Sequence, residues 1–157
     1  MSVYGQGTLA LTDTTRLIGG LRYTRDEVYS EVTNFYGRGG TDILEIDSNE
    51  VTGRIAYEKD FDDVTLGYVS YTRGFKPGGS NLTYGRESVV SPIVVLPTFE
   101  QETIDAYEVG LKTDLDEGRV RVNAAAFLYT YENLQDQATD PEVFQGGVGN
   151  IPESQIF

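Results

Sequence analysis

Between Tyr107 and Lys112 the chain alternates apolar and polar residues one for one. Tyr107, Val109 and Leu111 stand against Glu108, Gly110 and Lys112. Successive side chains of a strand point to opposite faces, so the pattern specifies a sheet with different surroundings on its two sides. The stretch Glu102–Gln137 reads as two long strands joined by a tight turn at Asp116-Glu117-Gly118, residue types that tolerate positive φ. The second strand, from Arg119 to about Asn133, exceeds the roughly 5–6 residues usual for a strand. Phe127, Tyr129 and Tyr131 fall on the face that begins with Arg119, Arg121 and Asn123. Either a bulge switches the faces midway or those rings point inward.

The same two-faced character recurs along the chain. Residues 3–11 read as a strand, 12–15 as a short turn and 16–32 as a second long strand. In it Leu17, Gly19, Leu21 and Tyr23 oppose Arg16, Arg22 and Thr24. Residues 34–49, rich in Gly, Asp and Asn, read as a loop. Residues 50–60 alternate most cleanly, with Val51, Gly53, Ile55 and Tyr57 opposite Thr52, Arg54, Ala56 and Glu58. A tight turn at 61–63 leads to a fourth strand, 64–76. Its phase stays open: either Val64, Leu66, Tyr68 and Ser70 or Thr65, Gly67, Val69 and Tyr71 face outward. Residues 77–101 read as a long loop whose apolar part, Val89–Leu96, either folds inward over an opening or is a sticky exposed segment. Residues 135–147 read as another loop, and 148–157 begin a seventh strand.

Composition removes several function classes. The 157 residues carry a net charge of −13, which speaks against a nucleic-acid partner, since phosphate binding needs a basic surface. There is no Cys and no His. The chain therefore has no disulfide, no thiolate metal site and no Ser-His-Asp triad, and it lacks the commonest general base. Eighteen Gly and eleven Tyr fit β structure better than helix. No apolar run reaches the ~18 residues of a membrane helix, and the N-terminus lacks the features of a secretory signal. A membrane β-barrel stays compatible with all of this, because only alternate residues need be apolar.

Connection lengths carry the next step. Short turns at 12–15, 61–63 and 115–118 alternate with long connections at 34–49, 77–101 and from 135 onward. An up-and-down sheet with short turns on one edge and long loops on the other is the pattern of an outer-membrane barrel. Strands of roughly 9–11 tilted residues span a bilayer, and these meet or exceed that length. The expected fold is all-β: an antiparallel up-and-down meander of about six to seven strands. It forms part of a transmembrane barrel, with short periplasmic turns and long extracellular loops.

Three motifs in register bear a resemblance. GLRYTRD (Gly20–Asp26), YVSYTRGFKPGG (Tyr68–Gly79) and ETIDAYEVGLKTDLDEGRVRVNAAAF (Glu102–Phe127) resemble the barrel of TonB-dependent outer-membrane receptors. The resemblance implies residues 1–157 as an internal piece of a barrel of about 22 strands, without the N-terminal plug and without the terminal strands. It implies no enzyme and no cofactor. It places the protein in the bacterial outer membrane, taking up a scarce ligand, most often a ferric siderophore. The implied partners are outer-membrane lipid, the receptor's own plug, the TonB complex acting through that plug, and the ligand. A passive porin-like barrel and a soluble β-sandwich binding module are the alternatives.

Site candidates follow from residue types. Glu102 and Glu108 are six residues apart on one strand, about 20 Å at ~3.3 Å per residue, too far to act together on one glycosidic bond. Lumen-facing ion pairs with Lys112 and Arg121 account for such carboxylates. Asp42, Glu45, Asp47 and Glu50 lack the spacing and glycine of a calcium loop, so no metal site is expected. Arg22, Arg54 and Arg73 suit an interior that grips an anionic ligand bidentately, or one that neutralises inner-wall carboxylates. Phe35, Tyr36, Tyr84 and Phe99 are either a stacking vestibule for an aromatic ligand or loop packing.

Overall fold

The structure is a computed structural model that describes residues 1–33, 41–81, 88–90, 93–95, 98–140 and 145–157. Its strands are β1 (Ser2–Thr12), β2 (Thr15–Thr33), β3 (Thr41–Asp60), β4 (Thr65–Lys76), β5 (Gly79–Ser80), β6 (Ser88–Val90), β7 (Ile93–Val95), β8 (Thr98–Phe99), β9 (Glu102–Leu115), β10 (Val120–Asp140) and β11 (Gln145–Ile156). Seven of them form one antiparallel meander, in the order β1-β2-β3-β4-β9-β10-β11. The four short strands make two small pairs, β5 with β8 and β6 with β7.

Register fixes which residues share a face. One rung runs Leu9, Leu17, Tyr57, Val69, Val109, Ala126 across six strands. The neighbouring rung runs Ala10, Arg16, Glu58, Tyr68, Gly110, Ala125 on the opposite face. The first face is open: Val69 is 54% and Val109 55% exposed. The second is the more enclosed, with Ala56 at 2%. Ala56 is also the sole buried apolar residue among those described. A sheet with its large apolar side chains outside and no packed core is stable only where lipid covers that surface.

The phase of β4 is thereby decided. Thr65, Gly67, Val69 and Tyr71 lie outside; Leu66, Tyr68 and Ser70 lie inside. Pairing from Val120–Leu115 to Glu132–Thr103 runs without a break, so no bulge switches the faces of β10. Phe127, Tyr129 and Tyr131 therefore stand on the inner face. The turn between β9 and β10 has positive φ at Asp116 (51°), Glu117 (55°) and Gly118 (82°), as its residue types lead one to expect.

The outer apolar band has two edges. Along β3, outer positions are apolar or glycine from Tyr57 to Val51 and become polar at Asn49 above and Lys59 below. Ten residues at ~3.3 Å, tilted by about 40°, cover roughly 25 Å of height, the apolar thickness of an outer-membrane barrel. Tyr23, Tyr71 and Tyr107 stand near the upper edge, the last two with ring centroids 5.1 Å apart. Tyr57 and Phe61 mark the lower edge. Aromatic rings at both levels are the girdles expected at a membrane interface.

Two segments read as loops prove to be paired strand. β3 begins at Thr41, within the stretch 34–49, and pairs with β2 up to Thr33–Thr41. β10 continues to Asp140 and pairs with β11 from Gln145, within the stretch 135–147. Both lie above the apolar band. The stretch 77–101 contains β5 to β8, and the β6–β7 pair lies against β10 and β11.

The turn below β3 and β4 carries a pH-dependent contact. The Val64 amide donates to Asp62 Oδ1 at 2.9 Å. That bond, with help from the Thr65 hydroxyl, holds the Asp62 carboxyl below its ordinary value near 3.8. A depressed carboxylate stabilises above its unfolded pKa and loses that contribution as pH falls through the folded value. Exchange protection of the Val64 amide is expected to decay below about pH 4, and Asp62→Asn to flatten that dependence. Amide exchange across pH 3 to 7, on the order of one measurement per unit, checks it.

Candidate functional site

The inner wall is a polar and aromatic surface. On it Arg16 Nε meets Glu58 Oε2 at 2.7 Å and its Nη1 meets Asp60 Oδ2 at 2.9 Å. The Tyr68 hydroxyl donates to Glu108, and Lys112 Nζ stands 5.5 Å from the Tyr68 ring centroid. Gly110 is what admits that ring, because a Cβ there would meet it at 2.5 Å. Phe127 and Tyr129 stack, centroids 4.7 Å apart and planes at 26°. Arg54 shares a rung with Tyr129 and makes no ion pair or hydrogen bond with a described residue. The guanidinium stands three strands from the stacked rings, about 14 Å at ~4.8 Å per strand, so one large ligand that is both anionic and aromatic can meet the charge at one end and the rings at the other.

The sequence candidates separate. Arg22 is on the inner face, with its Nη2 2.9 Å from Ser2 Oγ. Arg54 is on the same face. Arg73 stands on the opposite one, with Tyr71 and Tyr107, and donates to Asp105 Oδ2 at 2.9 Å. It lies where the outer apolar band ends on β4. Phe99 is described, and its ring lies on Gly79, where a Cβ would collide with it. Tyr36 and Tyr84, like Phe35, fall outside the described residues. The cross-hairpin ion pairs also differ from expectation. Arg121 takes Asp114, at 2.6 and 2.8 Å, while Asp105 takes Arg73. Glu45 and Asp47 lie on one face of β3 and Glu50 on the other, so the acidic run is dispersed.

A second feature was not legible in the sequence. Residues 77–81 and 98–101 form a strap across the upper inner face. Gln135 Nε2 donates to the carbonyls of Pro77 at 2.9 Å and Glu100 at 3.0 Å. The Gly78 amide donates to Ser48 Oγ at 3.1 Å. Asn81 exchanges two 2.8 Å bonds with the Val148 backbone. Asn150 Nδ2 reaches the Glu100 carbonyl at 3.0 Å. Ser48, Asn81 and Gln135 are among the four most buried polar residues described, between 4% and 9% exposed. Gly78 lets the backbones approach, since a Cβ there would stand 2.6 Å from the Phe99 carbonyl.

Ser80 and Asn81 are adjacent, yet Ser80 Oγ touches Ser30 Oγ on β2 at 2.8 Å while Asn81 holds β11. Those strands are five places apart, roughly 24 Å on a flat sheet at ~4.8 Å per strand. The upper sheet therefore curls inward around the strap.

A curled meander, apolar outside and polar inside, with short turns on one edge, is part of the wall of an outer-membrane β-barrel. The chain belongs to the TonB-dependent receptor-like β-barrel family, whose model matches residues 1–156. Members of that family are receptors rather than enzymes, and they reside in the bacterial outer membrane. Among solved structures, the ferric yersiniabactin uptake receptor of Yersinia pestis superposes with a TM-score of 0.68 at 22% identity, over 85% of this chain and 20% of that one. The alcaligin outer-membrane receptor of Bordetella pertussis superposes with a TM-score of 0.60, also at 22% identity, over 98% and 25%. The chain thus spans a quarter or less of either receptor. No curated protein matches the sequence.

Proposed function

We propose that this chain is an internal stretch of the barrel of a receptor that takes up a scarce ligand under TonB energy, and that the ligand is a ferric siderophore. The observation that carries the reading is the family match over residues 1–156. The names of both superposed receptors, one for ferric yersiniabactin and one for alcaligin, point to the ligand class. The inner wall adds chemical support: Arg54 offers an anionic ligand a cation that no described carboxylate pairs, and Phe127 and Tyr129 offer a stacking face. Arg22 extends the same wall. Tyr36, Tyr84 and Phe99 belong to the outward connections that would ring the mouth. The plug that fills such a barrel, and the TonB complex that pulls on it, complete the machine.

Radiolabelled ferric siderophore uptake by the full-length receptor tests the reading. Uptake is expected to vanish without TonB; uptake that persists there would mark a passive porin-like barrel. Arg54→Gln is expected to raise the half-saturating concentration about tenfold, the worth of one charge-assisted hydrogen bond. An unchanged value would remove Arg54 from the ligand's path.

A further inference from the structure

Low on the outer face is a groove of about 600 Å3 that the uptake reading does not use. Tyr57 and Phe61 wall one side, and Gly67, Ala124 and Ala126 leave its floor low. Phe61 folds over Gly67, where a Cβ would meet its ring at 2.6 Å. Lys59 lies at the groove's end, on the rung Thr15, Lys59, Gly67, Leu111, Ala124. That rung marks the lower edge of the apolar band, next to the short turns.

Lys59 is set apart by its lack of a carboxylate. Among the described residues of the outer face, Arg25 is paired with Glu27 and Arg73 with Asp105. Among the described residues the Lys59 ammonium has only the Phe61 ring as a partner, 5.8 Å from its centroid. Two residues further down on the same face, the hydroxyls of Thr65 and Thr113 meet at 2.9 Å and supply further polar groups at headgroup depth. An uncompensated cation at headgroup level, above which an apolar groove runs into the hydrocarbon, has the polarity of one anionic phospholipid. We propose that this groove holds an anionic phospholipid of the periplasmic leaflet, its phosphate on Lys59 and an acyl chain along Ala124 and Ala126. The proposal rests on the barrel's setting in the membrane with its short turns toward the periplasm.

Native mass spectrometry of the full-length receptor, released from bilayers of phosphatidylglycerol mixed with phosphatidylcholine, tests it. The wild type is expected to retain phosphatidylglycerol about fivefold over phosphatidylcholine, the effect of one lysine near an anionic surface. Lys59→Gln is expected to abolish that preference, and Lys59→Arg to keep it. Ala126→Leu, which fills the groove, is expected to lower retention of both lipids. An inserted wild type without preference, or a preference that survives Lys59→Gln, overturns the lipid site and leaves the barrel standing. A receptor that fails to enter bilayers at all sinks the membrane setting itself.

Discussion

Val109→Arg is expected to cost about 2–4 kcal/mol of folding stability in a bilayer, the price of a cation at the lipid-facing midplane of a barrel strand. Val109 is 55% exposed and sits midway along β9 between the polar outer positions Thr113 and Asp105. An arginine there cannot reach either headgroup layer without bending its strand. Asn123→Arg, on the inner face of β10, is the control. That side chain meets water and the carboxylates of the wall, so the change is expected to stay within about 0.5 kcal/mol. Urea titration of the full-length receptor folded into liposomes measures both. A larger cost at Asn123 than at Val109 would mean that the inner and outer faces are exchanged, and equal costs that the two faces have like surroundings.

Gln135→Leu is expected to release the strap. The substitution keeps the volume and removes the donor to the Pro77 and Glu100 carbonyls. The Pro77 carbonyl loses its Gln135 donor, a loss worth roughly 1–3 kcal/mol, whereas the Glu100 carbonyl keeps Asn150 Nδ2. The loss should be local, because β1, β2 and the lower part of β3 share no hydrogen bond with Gln135. Hydrogen exchange is the direct readout. Amides of 77–81 and 98–101 are expected to exchange faster, on the order of a hundredfold, while those of β1 keep their protection. Unchanged exchange in the strap would show that Ser48, Asn81 and Asn150 hold it without Gln135.

Faces were legible wherever one side of a strand meets lipid. Val51 to Tyr57 and Tyr107 to Leu111 alternate because a polar residue on the outer side would be costly at that depth. The signal fails above the band. From Thr41 to Asn49, and from Gln135 to Asp140, neither face meets lipid, so polar and Gly-rich segments pair as strands without alternating. β4 offered tyrosines to both sides, Tyr68 and Tyr71. Only its partner settled the matter, since the Tyr71 ring lies tilted against Tyr107 while Tyr68 reaches Glu108. The same dependence on a neighbour hid the placement of Arg73, whose exit to the outer face follows from that phase. The inner-wall stack of Phe127 and Tyr129 was within reach, because strict alternation from Asn123 onward already put both rings inward. The strap was not. Its anchors Ser48, Asn81 and Gln135 lie 33 or more residues apart in the sequence and belong to no local pattern.

The paired extension of β2 and β3 has a bearing on how a molecule arrives. Eight residues separate Asn49 from Thr41, a further ~26 Å of ribbon at ~3.3 Å each beyond the apolar band. β10 and β11 rise likewise on the far side, and the strap lies between. On the proposed uptake reading, these two ribbons would stand as tall banks beside the mouth. A solute that slips off one bank meets the other before it meets open water, so height lengthens the time spent near the floor.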